Sequence, residues 1–280
     1  MIPGIHILST APSRQMRAGK PFGIPFFELA CLALSAVMWR KLNGPIKFYV
    51  DQEGYDWFKE RDLLGLWDSV DNETVEAIPE EINQNVFWAS AKLFALKQER
   101  KPVAMVDTDL IVWIPLERRL KGSRLTVLHR EDLAECYLPG FLLKTREGYQ
   151  FDPDWDWTAR PCNTAFAWFG DAGFKDRYLD AAIDFMWNNK ERAMENVSQM
   201  VFAEQRILAT QAVKERVQIH TLVNDPFQRD NEIFTHLWGA KNIARNDPEQ
   251  CGLLVKALMN KLRSASPEMY EKLRVLQEKG

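Results

Sequence analysis

The chain has 280 residues, with 36 Lys and Arg against 39 Asp and Glu, and its net charge of −3 argues against the basic surface of a nucleic-acid-binding protein. Hydrophobic residues make up 46% and charged residues 27%, which is ordinary for a globular protein. An α/β fold of this length often forms one unit, so composition already favours a single large core.

The N-terminus lacks the basic-then-apolar pattern of a signal peptide. The apolar stretch 26–39 contains Glu28 and is too short to span a bilayer. We therefore expect a cytoplasmic protein, and the sequence leaves peripheral membrane association open. The four cysteines are widely spaced and form no Cys-x-x-Cys pair, so we expect free thiols rather than a zinc or redox motif.

Strand and helix patterns alternate through the first 110 residues. After the first strand we expect a loop containing Pro12. Apolar runs bounded by turn signals predict strands at 5–9, 46–50, 66–70, 103–106, 125–129, 164–168 and 217–222. Helical spacing and capping residues predict helices at 26–41, 55–64, 87–100, 176–187, 199–212, 248–263 and after Pro267.

This alternation predicts an α/β fold with a largely parallel sheet. Asp247 and Pro248 are an N-cap and a first-turn proline, so a helical segment starts there. We divide the chain into one α/β domain, 1–246, and a helical C-terminal extension, 247–280, packed on it. His6 and His220 lie in apolar strand patterns and are expected in the core.

The segment VAMVDTDLIVW at 103–113 is the most informative in the chain. Four apolar residues of a predicted inner strand lead directly to Asp107 and Asp109. Ligands of open α/β sheets bind outside the carboxyl ends of the strands. An extended D-x-D places both carboxylates on one side, where they repel unless a cation lies between them. Mg²⁺ or Mn²⁺ prefers such oxygen ligands. A solvated acidic turn would have the same sequence, so the spacing alone leaves both interpretations open.

Four sequence blocks in order carry a family resemblance, with Asp107-Thr108-Asp109 between the first two. The chain resembles the GT-A glycosyltransferases, especially the retaining glycogenin-like and bacterial galactosyltransferase-like group. The blocks are Lys92-Leu93-Phe94-Ala95-Leu96, Cys162-Asn163-Thr164-Ala165-Phe166, Ala203-Glu204-Gln205-Arg206-Ile207-Leu208 and His236-Leu237-Trp238-Gly239-Ala240-Lys241. The resemblance implies a nucleotide-diphospho-sugar transferase fold, in which a Rossmann-like mixed sheet is flanked by helices and followed by a helical tail.

The resemblance also implies roles for individual residues. Asp107, Asp109 and His236 would bind Mn²⁺ or Mg²⁺, and neutral imidazole suits Mn²⁺. Glu204 would contact donor hydroxyls, and Gln205 would lie beside the anomeric carbon. The remaining donor-binding residues would be Thr10, Lys92, Asp107, Asn163, Gly239 and Lys241.

Residue chemistry is compatible with these roles. Lys241 offers a point charge for the β-phosphate, Gly239 permits close backbone approach, and the Asn163 amide can both donate and accept. Each residue also has an ordinary interpretation, because His236 could be a core histidine and the lysines surface charges. Glu204 stands where the family has Asp, and the His-to-Lys spacing is one residue shorter, so the donor sugar does not carry over.

The sequence therefore predicts a metal-dependent, retaining glycosyltransferase. It would move a sugar from a nucleotide-diphosphate sugar, first of all a UDP-sugar, to an unknown glycan, lipid-linked or protein acceptor. Two alternatives stay open: a non-catalytic nucleotide-sugar-binding module, and another metal-dependent enzyme such as a nucleotidyltransferase. The absence of a glycine-rich basic loop near the first strand argues against the nucleotidyltransferase.

Overall fold

A computed structural model describes residues 1–14, 17–193, 195–225 and 232–279. Within these residues the strands form one seven-stranded sheet and one two-stranded ribbon. The strands are β1 Gly4–Leu8, β2 Ile46–Val50, β3 Ser69–Asp71, β4 Val103–Val106, β5 Leu110–Val112, β6 Leu125–Val127, β7 Phe166–Phe169, β8 Ile219–Thr221 and β9 Phe234–His236.

The large sheet has the order β3-β2-β1-β4-β7-β6-β8. β7 is antiparallel to both of its neighbours, and the other strands run in one direction. β4 is buried along its whole length. Because side chains alternate across a strand, Val103 and Met105 enter the core on one face, and Ala104 and Val106 enter the core on the other. β4 is therefore an inner strand covered on both faces.

Helices flank this sheet. α2, Phe26–Leu42, has an almost continuous run of buried residues and packs against α10, Pro248–Ala265, and the ribbon strand β5. The described helices are α1 Ala11–Arg14, α2 Phe26–Leu42, α3 Gln52–Glu60, α4 Ser90–Gln98, α5 Glu117–Leu120, α6 Ala172–Trp187, α7 Ser198–Val201, α8 Ile207–Lys214, α9 Ala240–Asn246, α10 Pro248–Ala265 and α11 Pro267–Lys279.

A buried polar chain connects the first strand to the start of the ribbon. The indole Nε1 of Trp67 donates to His6 Nδ1 at 3.2 Å, and His6 Nε2 lies 3.1 Å from Ser35 Oγ. The Ser35 hydroxyl donates to the Leu110 carbonyl at 2.5 Å. Since an indole can only donate, His6 accepts at Nδ1 and carries its proton on Nε2. Burial lowers the pKa of His6 to about 3, so the ring is neutral.

The mixed sheet with flanking helices confirms the predicted α/β fold class. Several local predictions need correction. The loop expected around Pro12 contains the short helix α1. The third strand starts at Ser69, because Leu64–Leu66 forms a 3₁₀ turn. His6 is buried as expected, whereas His220 is exposed on the edge strand β8, so the core prediction for His220 is wrong. Among the helices of the described ranges, none has both the length and the apolar character needed to cross a membrane.

Candidate functional site

The two aspartates of the D-x-D segment lie in a tight turn between β4 and β5. The amide of Leu110 donates to the Asp107 carbonyl at 3.0 Å, and the amide of Asp107 donates to the Ala165 carbonyl at 2.8 Å. The segment is therefore turned, not extended as the sequence argument assumed. Asp107 follows β4 at the carboxyl edge of the large sheet, which is the usual position of ligands in such sheets.

The ribbon brings His236 to this turn from more than a hundred residues away. β5 and β9 pair in antiparallel fashion with Leu110 opposite His236, and the Leu237 amide donates to the Asp109 carbonyl at 3.0 Å. As a result His236 Nε2 lies 3.5 Å from Asp109 Oδ2. One potential ligand atom each from Asp107, Asp109 and His236 lies within 4.8 Å of the others.

Two lysines balance these carboxylates. Lys241, on the first turn of α9, places Nζ 2.7 Å from Asp109 Oδ2. Lys92, on α4, places Nζ 2.6 Å from Asp107 Oδ1 and 3.0 Å from Glu204 Oε1. Each ammonium of the site therefore pairs with at least one of its carboxylates.

The charges shift the ionisation of the site. Burial raises the pKa of Asp107, and the neighbouring Asp109 and Glu204 carboxylates add to this, with Lys92 opposing. Burial would also raise the pKa of Asp109, but the hydrogen bond from His236 and the charge of Lys241 outweigh it and hold that pKa low. Burial would lower the pKa of Lys92, yet the Asp107 and Glu204 carboxylates keep it above its usual value. Lys92 is therefore charged, and its one positive charge is shared between Asp107 and Glu204.

Glu204 and Gln205 lie in a π-helical turn, Phe202–Arg206, between α7 and α8. Such turns are rare and occur frequently at functional sites. Besides Lys92, the Glu204 carboxylate accepts from the Thr164 hydroxyl at 2.8 Å, and its carbonyl accepts from the Tyr178 hydroxyl at 2.8 Å. Gln205 Oε1 accepts from the Tyr137 hydroxyl at 2.6 Å.

Asn163 lies next to Thr164, in the segment that leads into β7. Its Nδ2 donates to Glu131 Oε1 at 2.7 Å, and its Oδ1 accepts from the Ala165 amide at 3.1 Å. The neighbouring Cys162 amide donates to the Gln205 carbonyl at 3.2 Å. The structure therefore connects Asn163 to Gln205 through one residue of backbone.

Thr10 and Gly239 are placed differently from the charged residues. Thr10 follows β1 at the same edge of the sheet, but it is fully buried. Its amide donates to Asp51 Oδ2 at 2.6 Å, and its hydroxyl lies 2.8 Å from both Asp51 and Glu53. Gly239 precedes α9, and a Cβ built on it would meet no atom within 4 Å. In this conformation, space alone does not require glycine at 239.

The ligand set suits a hard divalent cation. Two carboxylates and an imidazole are ligands that Mn²⁺ accepts, and Mg²⁺ accepts the carboxylates readily. Ligands at about 2.1 Å from one octahedral ion lie about 3.0 Å apart when cis and about 4.2 Å apart when trans. The ligand atoms of the three residues lie within 4.8 Å of one another, so side-chain rotations that bring them closer by about 1–2 Å would let them share one ion. These residues fit a metal.

Sequence reasoning missed several residues of this site. Thr164 stands inside the block Cys162-Asn163-Thr164-Ala165-Phe166, but the resemblance assigns it no role, and its hydroxyl donates to Glu204. Glu131 and Tyr137 lie in the long connection between β6 and β7 and reach Asn163 and Gln205. That connection follows no helical or strand period, so no local pattern marks them.

Fold and site together define an α/β protein with a carboxylate–histidine cluster at the carboxyl edge of its sheet. The sequence matches a family of unknown function (DUF6734) over residues 11–276, and the chain belongs to that family. No curated protein matches it in sequence.

Solved structures of similar shape include two sugar-transfer enzymes and one pyrophosphorylase. Mouse xyloside xylosyltransferase 1, in its apo form, is 13% identical over 79% of this chain and 84% of its own, with a TM-score of 0.42. A nucleoside-diphosphate-sugar pyrophosphorylase from Vibrio cholerae RC9 is 13% identical over 91% of this chain and 100% of its own, with a TM-score of 0.42. The glycosyltransferase GlyE of Streptococcus pneumoniae TIGR4 is 13% identical over 80% of this chain and 46% of its own, with a TM-score of 0.38. These likenesses are distant, so the functional interpretation depends on the residues of the site.

Proposed function

We propose that this protein is a metal-dependent glycosyltransferase that uses a nucleotide-diphosphate sugar, with a UDP-sugar as the favoured donor. The observation that carries the proposal is the meeting of Asp107, Asp109 and His236 at the carboxyl edge of the sheet, with their ligand atoms within 4.8 Å. His236 is far from the aspartates in sequence, and only the β5–β9 pairing brings it there. A solvated acidic turn would need no such partner.

The charges of the site match a divalent cation with a diphosphate. Asp107, Asp109 and Glu204 crowd three carboxylates around Lys92 and Lys241. Bound Mn²⁺ or Mg²⁺ would supply Lewis-acid stabilisation of the leaving diphosphate. Lys241 lies on a flexible stem, and its ammonium can exchange Asp109 for a phosphate oxygen, adding a fixed positive charge where negative charge develops.

The part of the site around Glu204 and Asn163 would bind the sugar. Glu204 and Asn163 would contact its hydroxyls, and Gln205 would lie beside the anomeric carbon. Because an amide is a poor nucleophile, a retaining reaction would proceed by front-face attack rather than through a covalent intermediate. Thr10 would contribute to nucleotide binding by holding the segment after β1 in place through its hydrogen bonds to Asp51 and Glu53. Gly239 would lie beside the diphosphate.

The wider assignments belong to the same proposal. Residues 1–246 would form the catalytic domain with 247–280 as its helical extension, in a cytoplasmic protein. This domain would represent a divergent branch of the retaining glycogenin-like group. The acceptor would be a glycan, a lipid-linked sugar or a protein.

The test is a turnover screen with the full chain. UDP-, GDP-, CDP- and dTDP-sugars are incubated with Mn²⁺, with Mg²⁺ and with EDTA, and both nucleoside diphosphate and pyrophosphate are measured. We expect metal-dependent release of nucleoside diphosphate through slow hydrolysis of one donor, even without an acceptor.

The other products separate the alternatives. A parallel set of reactions supplies a nucleoside triphosphate and a sugar phosphate instead, and release of pyrophosphate there would identify a nucleotidyltransferase. Metal-dependent binding of a donor without turnover, across glycan and lipid-linked acceptors, would identify a binding module. Equal turnover in EDTA and in Mn²⁺ would contradict the role of the Asp107–Asp109–His236 cluster.

A further inference from the structure

Gln205 is held by two hydrogen bonds of its own and by those of the next residue, Arg206. Its carbonyl accepts from the Cys162 amide at 3.2 Å, and its side-chain Oε1 accepts from the Tyr137 hydroxyl at 2.6 Å. The next residue, Arg206, is buried and donates to the Tyr137 carbonyl at 3.3 Å and to the Trp157 carbonyl at 2.6 Å. The long β6–β7 connection is thereby fastened to the π-helical turn that carries Gln205.

The hydrogen bonds of Arg206 to this connection are costly to break. A buried guanidinium without hydrogen bonds is strongly unfavourable, and the Nε of Arg206 already has no partner among the described residues. The carbonyls of Tyr137 and Trp157 therefore accept the hydrogen bonds that this buried guanidinium does make. Tyr137 is kept beside Gln205 by the backbone as well as by its own hydroxyl.

The two ends of the Gln205 amide have different chemistry. A Gln side chain terminates in a bond with broad, nearly two-fold rotation, so its oxygen and nitrogen can exchange places unless a neighbour selects one. A phenol hydroxyl can donate or accept, but its separation of 2.6 Å from the Gln205 amide is typical of an O–H···O bond and short for N–H···O. The amide oxygen therefore faces Tyr137, whose hydroxyl stays protonated because burial raises its pKa. Nε2 then has no hydrogen-bond partner among the described residues and is the end left for a ligand.

We propose that Tyr137 is a positioning residue for the reaction, because its hydroxyl turns the Gln205 amide so that Nε2 donates to an oxygen of the bound sugar or its leaving phosphate. This rests on the glycosyltransferase function proposed above. The orientation makes Gln205 a hydrogen-bond donor at the reaction centre. It also directs the amide oxygen toward Tyr137, where it cannot attack the anomeric carbon.

The experiment is a double-mutant cycle of Tyr137→Phe and Gln205→Ala. Phenylalanine keeps the ring and removes only the hydroxyl. Turnover is measured with the nucleotide-sugar that the wild-type chain hydrolyses fastest in Mn²⁺, and UDP–Mn²⁺ affinity is measured separately. Tyr149→Phe is the matched control, since Tyr149 lies in the same connection and contacts Phe151 and Phe185 through its ring.

We expect Tyr137→Phe to lower kcat by about three- to tenfold, the loss that one hydrogen bond of this kind carries, with KM and UDP affinity within about twofold of wild type. In the Gln205→Ala background the same change should have no further effect, and Tyr149→Phe should match wild type. Additive losses, an unchanged kcat, or a parallel fall in UDP affinity would each overturn the inference while leaving the proposed function standing. A wild-type chain that turns over no nucleotide-sugar would overturn both.

Discussion

Acid should destabilise this protein through one buried histidine. His6 accepts a hydrogen bond from the Trp67 indole at Nδ1. Protonation of Nδ1 would place two N–H donors against each other, and His6 is fully buried from solvent. Burial lowers the pKa of His6 to about 3 in the folded state, whereas the unfolded value is 6.5. The same histidine reaches the Leu110 carbonyl through Ser35, immediately beside Asp109. Protonation of His6 would therefore weaken the support of the D-x-D turn.

The sign and the size follow from these two pKa values. Since the folded pKa is depressed, the unfolded chain binds the proton more readily, and stability falls as pH drops below 6.5 toward 3. At pH 5 the loss amounts to about 2 kcal/mol relative to pH 8, from 1.36 kcal/mol for each pH unit of differential protonation. That is a large share of the stability of an ordinary domain.

Urea denaturation at pH 8 and pH 5 measures this effect in wild type and in His6→Asn. The difference between the two proteins isolates His6, because the other groups titrate alike in both. We expect the pH-dependent loss to be smaller by about 2 kcal/mol in the variant, and His220→Asn, at an exposed position, to behave as wild type. If His6→Asn keeps the full pH dependence, or if the His6 ring in wild type titrates near 6.5 by NMR, the reasoning is refuted.

Three further changes test other parts of the structure. Lys92→Met removes the cation shared by Asp107 and Glu204, so it should lower the free energy of unfolding by about 3–5 kcal/mol in metal-free urea denaturation, and by less with Mn²⁺. Lys97→Met, which removes a more exposed ion pair, should lower it by under about 1 kcal/mol. Lys241→Met should weaken UDP–Mn²⁺ binding in calorimetry by about tenfold or more, the loss of one charged hydrogen bond, and unchanged affinity would remove Lys241 from the phosphate. Gly170→Ala would place a Cβ 2.1 Å from the Ser123 carbonyl and should lower the free energy of unfolding by about 1–3 kcal/mol, whereas Gly65→Ala, with open space around it, should lower it little if the close approach is the cause.

The sequence was sufficient for features that depend on local pattern. The run Val103–Val106 is apolar on both sides, and it is an inner strand covered on both faces. Asp247 accepts from the amides of Glu249 and Gln250 as an N-cap, with Pro248 at the first helical position as predicted. In both cases, neighbouring residues alone determine the structure.

Local sequence pattern does not predict pairing between distant segments, and only the family resemblance brought His236 together with Asp107 and Asp109. Nothing near Phe234–His236 indicates that this short strand pairs with Leu110–Val112, yet that register puts His236 beside Asp109. The D-x-D segment was expected to be extended, but the hydrogen bond from Leu110 to Asp107 closes it into a turn. Tyr137 reaches Gln205 from an irregular connection whose path is determined by tertiary contacts, including those of Arg206.

The proposed metal-dependent nucleotide-sugar site at Asp107, Asp109 and His236 is tested most directly by the thermal stability of Asp109→Asn with UDP and Mn²⁺. The substitution keeps the shape of the side chain and removes the charge that would compensate a cation. With UDP at a hundredfold excess over its dissociation constant, wild type should gain about 2.7 kcal/mol and melt at a higher temperature in Mn²⁺ but not in EDTA. Asp180→Asn, at an exposed carboxylate of α6, should respond as wild type does. We expect no Mn²⁺-dependent shift of the melting temperature for Asp109→Asn. A shift equal to that of wild type would show that Asp109 does not bind the cation.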